Sequence, residues 1–190
     1  CWEDNFKPFF VKRGYSVIVV NFSNPNPKVK INDYMEHINE VVGEISGKVY
    51  IISHSLGTAI VEKYITKFSP KLDAVVFLTP SLVIKRLQKA FLVNFHNIMR
   101  SKSCFYFSNR LDESVESVYL DKFTDESRKI ELLMIRKKVP VGYEWNYKTL
   151  VMGSLNDNCM PISVLLDTAK IFKAKLIIYQ EHCHDMMLDP

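Results

Sequence analysis

The sequence is short of most features that commit a chain to a special environment. Cysteine is scarce. The four, Cys1, Cys104, Cys159 and Cys183, fall at no zinc or redox spacing, and a chain of 190 residues needs no disulfide framework to hold a core. A reducing compartment, and hence the cytoplasm, is the expected location. Long hydrophobic runs are missing as well: none approaches the roughly 20 residues of a membrane span, so no span is expected. Charge of one sign is also thin. Lys and Arg number 25 against 21 Asp and Glu, a net charge of +4, and the two signs are interspersed. The nearest basic cluster, Arg136-Lys137-Lys138, reads as a solvated helix end rather than the concentrated face that nucleic acid requires. No nucleic-acid partner is expected. There is no secretory or transit segment and no initiator Met, so a piece upstream of Cys1-Trp2 is expected to be missing.

What is there is globular: 47% hydrophobic and 24% charged residues, enough for one ordinary domain with a sizeable core. Short apolar runs alternate with stretches of helical period. Trp2, Phe6, Phe9 and Phe10 suggest one helix face closed by Gly14. Tyr15–Phe22 (YSVIVVNF) reads as a buried strand, and Asn24-Pro25-Asn26-Pro27 as a turn. Asp33 is placed to cap a helix carrying Met35, Ile38, Val41, Val42 and Ile45. Strands follow at Lys48–Ser53, Leu72–Thr79, Thr149–Gly153 and Lys175–Gln180, with helices at Leu56–Phe68 and over Ile162, Leu165, Leu166, Ala169 and Phe172. This rhythm predicts an α/β fold, a mostly parallel sheet covered by helices on both faces. From Ser81 to Tyr147 the strand alternation stops, so the expected division is a core of residues 1–80 and 148–190 with a helical cap inserted at 81–147.

In a parallel sheet the ligand site lies beyond the carboxyl ends of the strands. Three such ends carry reactive residues: Ser55 in Ser53-His54-Ser55-Leu56-Gly57, Asp157 in Gly153-Ser154-Leu155-Asn156-Asp157, and His182 and His184 in Glu181-His182-Cys183-His184-Asp185. A serine hydroxyl needs a base within hydrogen-bond reach to become a nucleophile. Imidazole can take that proton and return it to a leaving group, and a carboxylate behind the ring holds the right tautomer. Spacing alone chooses neither between His182 and His184 nor between Asp157 and outsiders such as Asp185 or Asp121. His182 and His184 also have the look of half a metal site, but no third ligand follows from spacing; neither a metal nor a cofactor is expected. His54 reads as a packed residue rather than a second base. Cys159 and Cys183 read as small buried hydrophobes, and Met186 and Met187 as the start of a packed helix.

The pattern resembles the serine hydrolases of the α/β-hydrolase fold, over essentially the whole chain. Ser53-His54-Ser55-Leu56-Gly57 is similar to their nucleophile elbow, usually written G-x-S-x-G. The loop from Gly153 to Asp157, followed by Pro161, resembles their acid loop, and His184-Asp185-Met186-Met187 their histidine segment. The resemblance implies Ser55 as nucleophile, Asp157 as acid and His184 as base. It implies the Leu56 N–H as one oxyanion donor and an esterase- or lipase-like activity on carboxylic esters or thioesters. The insertion at Ser81–Tyr147 matches the position of the family's cap, and its Leu, Ile and Phe content suggests a small-molecule ester with an apolar group. Two departures stand out. Ser53 replaces the usual glycine, and no strand ending in His-Gly precedes Cys1; its strand would lie between the first and second strands read here. Alternatives are a hydroxynitrile lyase or carbon–carbon hydrolase using the same trio, or a binding protein that has kept the pocket and lost turnover.

Overall fold

In a computed structural model, residues 1–21, 30–81, 106–122 and 144–189 are described. Asn24–Pro27, Arg136–Lys138, Cys104 and most of the expected cap fall outside them. After a π-helical turn at Trp2–Phe6, the described elements run α1 (Lys7–Val11), α2 (Ile31–Gly43), β1 (Tyr50–His54), α3 (Leu56–Phe68), β2 (Ala74–Leu78), α4 (Glu113–Asp121), β3 (Thr149–Ser154), α5 (Ile162–Ile171) and β4 (Lys175–Tyr179). The four strands form one parallel sheet in the order β1-β2-β3-β4. Its register pairs His54 with Leu78, Leu78 with Met152 and Ser154 with Tyr179, so all four carboxyl ends share one edge.

Central position decides burial. Val75 and Phe77 of β2 and Val151 of β3 are wholly buried, as expected of strands covered on both faces. Helix α5 lies on β3 and β4, helix α3 on β1, and α2 on α3. Phe77, Trp145 and Phe172 form an aromatic cluster with ring centroids 4.4–6.0 Å apart, and the indole N–H of Trp145 donates to Thr149 Oγ1 at 2.6 Å. Trp145 and Tyr147 are thus part of the packing around β2 and β3.

Several expectations need correction. Residues 15–21 form no strand, and Tyr15 and Ile18 remain 53% exposed. β-forming composition makes a strand only where a neighbour satisfies its backbone, and among the described residues none pairs with this run; Phe22 lies outside them. Asp33 is not the cap residue of α2 but its third residue, where its carboxylate accepts the Lys30 N–H at 2.7 Å. Leu166 is half exposed on the outer face of α5. Met186 and Met187 lie in a turn rather than a helix, although Met187 is buried.

Candidate active site

Strand β1 hands over to helix α3 through a single residue, Ser55. Its backbone stands at φ 48°, ψ −121°, a region that residues with a side chain rarely enter. The strain is held from both sides: the Ser55 N–H donates to Leu78 O and the Ser81 N–H donates to Ser55 O, each at 3.1 Å. Ser55 is formally the N-cap of α3, yet its side chain makes no capping bond. A serine in this place ordinarily accepts a helix N–H. Here the hydroxyl turns to His184 Nε2, 2.8 Å away, which leaves the positive end of α3 facing the space beside Oγ.

Size matters differently at the two flanking positions. Ser53 is buried, with its hydroxyl 3.4 Å from Thr58 Oγ1. A Cβ built on Gly57 would meet only Ser53 Cβ, at 3.7 Å, an ordinary contact. The turn therefore does not forbid an alanine at position 57. The demanding glycine is Gly153 in β3, where a Cβ would fall 2.0 Å from a methyl of Leu165.

The loop after β3 places Asp157 with its side chain fully buried. One oxygen, Oδ1, accepts the N–H groups of Cys159 and Met160 at 2.7 and 2.8 Å. The other, Oδ2, lies 2.9 Å from His184 Nδ1, the shorter of two contacts, since Oδ1 is 3.2 Å from the same nitrogen. A carboxylate only accepts, so Nδ1 carries the proton and Nε2 presents its lone pair to the Ser55 hydroxyl. Asp157, His184 and Ser55 thus lie in one hydrogen-bonded line. His182 is elsewhere, its ring 5.0 Å from that of Tyr179 and its Nδ1 3.4 Å from Asp189. Asp185 does not reach the His184 ring nitrogens; its Oδ1 lies 3.5 Å from His54 Nε2. Asp121 ends α4 at the surface.

Several neighbours were not legible as contributors. The His54 ring lies 4.8 Å from that of His184, and its Nε2–H donates to the main-chain carbonyl of His184 at 3.0 Å. Burial, and then the nearby His184, push the His54 pKa down to about 3, so it stays neutral and is no second base. Burial raises the Asp185 carboxyl to about 6. Thr79, fully buried and held at φ 38°, donates its hydroxyl to the same His184 carbonyl at 3.1 Å. Tyr106 sets its ring 5.8 Å from His184, and its carbonyl accepts the Asp185 N–H at 2.8 Å. His54 reads from sequence as a packed residue and Asp185 as an outsider for the acid, while Thr79 shows only its position at a strand end, which points to no role. Asp157, Cys159 and His184 also bring a carboxylate, a thiol and an imidazole within 4.8 Å of one another, but the first and last are already bonded to each other. No described helix is long and apolar enough to cross a membrane.

Known proteins resemble the chain in family and in fold. The family model described as serine hydrolase matches residues 16–187. A search of curated protein sequences found no match. Among solved structures, polyneuridine aldehyde esterase superposes with a TM-score of 0.69 at 18% identity, covering 97% of this chain and 87% of the other. An α/β hydrolase from the metagenome of lagoon sediments at Mar Chica, Morocco, gives 0.61 at 18% identity, covering 97% and 76%. A bromoperoxidase from Bacillus anthracis gives 0.62 at 13% identity, covering 83% and 68%. At these identities the likeness speaks for the fold, and the family match covers most of the chain: the protein belongs to the serine hydrolase family and has the α/β-hydrolase fold.

Proposed function

We propose that the chain hydrolyses carboxylic esters or thioesters through an acyl-enzyme on Ser55. The observation that carries this reading is the line from the Asp157 carboxylate through His184 to the Ser55 hydroxyl, with contacts of 2.9 and 2.8 Å. The Ser55 proton passes to His184 Nε2 as Oγ bonds to the substrate carbonyl carbon. Asp157 stabilises the imidazolium that results. The oxyanion forms beside the Leu56 N–H, the first of α3. Collapse breaks the bond to the leaving alcohol or thiol, which takes the proton from Nε2. Water then gives a proton to the same nitrogen, attacks the acyl carbon and releases the acid, and the proton returns to Ser55 Oγ. The residues of the expected cap, 81–147, and the Tyr106 ring beside His184 favour a substrate with an apolar group. The esterase among the structural neighbours supports the same substrate class by analogy.

The test is reaction with a fluorophosphonate probe, run beside Ser55→Ala and read by mass spectrometry of the labelled peptide. Labelling at Ser55 that disappears in the variant is expected. A folded protein that resists the probe would overturn the reading and favour a binding protein of the same fold.

A further inference from the structure

Two side chains outside the Asp157–His184–Ser55 line converge on one atom of it. The main-chain carbonyl of His184 accepts the Nε2–H of His54 at 3.0 Å and the hydroxyl of Thr79 at 3.1 Å. A carbonyl oxygen has two lone pairs, so these donors occupy it fully. We propose that His54 and Thr79 are positioning residues, which fix the backbone of His184 so that its ring spans Asp157 and Ser55 at once. The proposal rests on the hydrolytic reading of that line and adds to it the means by which the base is held.

Thr79 is the stronger indication. A β-branched residue at positive φ is a genuine outlier, and such strain persists only where surrounding contacts demand it. Its position explains what demands it. The Thr79 N–H donates to Met152 O at 2.7 Å, while its neighbours Leu78 and Ser81 hold the Ser55 backbone at 3.1 Å on each side. The turn after β2 therefore grips the nucleophile's backbone with its main chain and the base's backbone with one hydroxyl. His54 completes the grip from the strand that delivers Ser55. A carbonyl only accepts, so the His54 Nε2 that meets it at 3.0 Å carries the ring proton. The Asp185 carboxyl also stands 3.5 Å from that nitrogen, but the His184 carbonyl is the nearer partner.

The experiment compares Thr79→Val and His54→Leu, which delete the donors at similar volume, with Thr79→Ser and His54→Gln, which retain one. The first readout is the rate of fluorophosphonate labelling at Ser55, with kcat and KM for a p-nitrophenyl ester. Each deletion is expected to lower kcat and labelling by about tenfold, the equivalent of one neutral hydrogen bond. KM should hold, and the retaining variants should recover most of the loss. The second readout needs no activity: the imidazole Nδ1–H proton of His184 in NMR spectra, assigned by its loss in His184→Gln. Its exchange with water should accelerate in both deletions and return to the wild-type rate in both retaining variants. If Thr79→Val does not fold, the His54 pair carries the same comparison. Folded deletions that keep wild-type rates and exchange, or losses that the retaining variants fail to restore, would overturn the proposal. A wild-type protein inert to the probe would sink the hydrolytic reading alone, leaving the exchange measurement to decide this one.

Discussion

Replacing Asp157 by asparagine changes one atom, and the structure dictates which way the amide must face. Oδ1 already accepts two backbone N–H groups, from Cys159 and Met160 at 2.7 and 2.8 Å. The asparagine carbonyl must stay there, because an NH₂ group would set donors against donors. Its nitrogen then faces His184 Nδ1 at about the place of Oδ2, and it donates. The ring must answer with a lone pair at Nδ1, which moves its proton to Nε2. That nitrogen now donates to Ser55 instead of accepting from it, and the hydroxyl has no base. To restore the working tautomer the amide must flip and strand two buried N–H groups, at about 1–3 kcal/mol each. A penalty of ~2–6 kcal/mol corresponds to a rate loss of about 30-fold to 10⁴-fold, whose upper end matches the loss known for the same change in a serine protease triad.

Stability should behave quite differently. The asparagine keeps both backbone bonds, so Asp157→Asn should unfold in urea close to wild type. Asp157→Ala gives up those bonds as well and should lose about 2–4 kcal/mol. The assay is the labelling rate at Ser55 and hydrolysis of a p-nitrophenyl ester at pH 7, beside urea unfolding of all three proteins. An asparagine variant that kept more than a tenth of the wild-type rate would refute the tautomer argument, whatever its stability.

Two further predictions address packing and charge. In Gly153→Ala the new methyl would drive into Leu165, which is wholly buried; a loss of about 1–3 kcal/mol in urea unfolding is expected. Adding Leu165→Ala should make the glycine replacement nearly free, and additive losses would contradict the clash. For Asp185, burial raises the folded pKa to about 6 from 3.8, so between those values the folded state holds a proton that the unfolded state has released. Stability is therefore lost as pH rises through that window. The advantage of Asp185→Asn over wild type should grow between pH 4 and pH 6, by about 2 kcal/mol, and a flat difference in denaturant midpoints would rule this out.

How much of this was legible depended on whether the information was local. Helix α3 came out at Leu56–Phe68 as read, because a β-run, a one-residue turn and a 3.6-residue period are all properties of neighbouring residues. The four strands of the sheet were legible for the same reason, within two residues at most ends. Tyr15–Asn21 had equally good composition and made no strand, since pairing is decided by what lies alongside. The choice between His182 and His184 was not contained in their spacing either. It follows from where the chain sets the two rings: His184 between Asp157 and Ser55, His182 against Tyr179 and Asp189. The donor roles of His54 and Thr79 depend on a carbonyl more than 100 positions away, which no local pattern can report.

The sheet order makes those distant ties necessary. β1 and β4 stand at opposite ends of the described sheet, with β2 and β3 between them. At about 4.8 Å per strand their carboxyl ends are some 14 Å apart. Ser55 leaves β1 at once, whereas His184 comes five residues after Tyr179 ends β4. Five residues span at most about 18 Å when fully extended, and with bends at Gln180 and Glu181 the segment comes back over the ends of β3 and β2 to bring the His184 ring to Ser55. It is held where it crosses: by the Thr79 hydroxyl at the end of β2, by His54 at the end of β1 and by the Tyr106 carbonyl on the Asp185 N–H. Beyond the ring, the buried Asp189 carboxylate accepts the Cys183 N–H at 2.8 Å and the Ser108 hydroxyl at 2.5 Å. The histidine loop is thereby tied to residues 106–108, the described stretch of the expected cap nearest the site. The link runs through two hydrogen bonds, from the Asp185 N–H to the Tyr106 carbonyl and from the Ser108 hydroxyl to Asp189, without passing through the sheet.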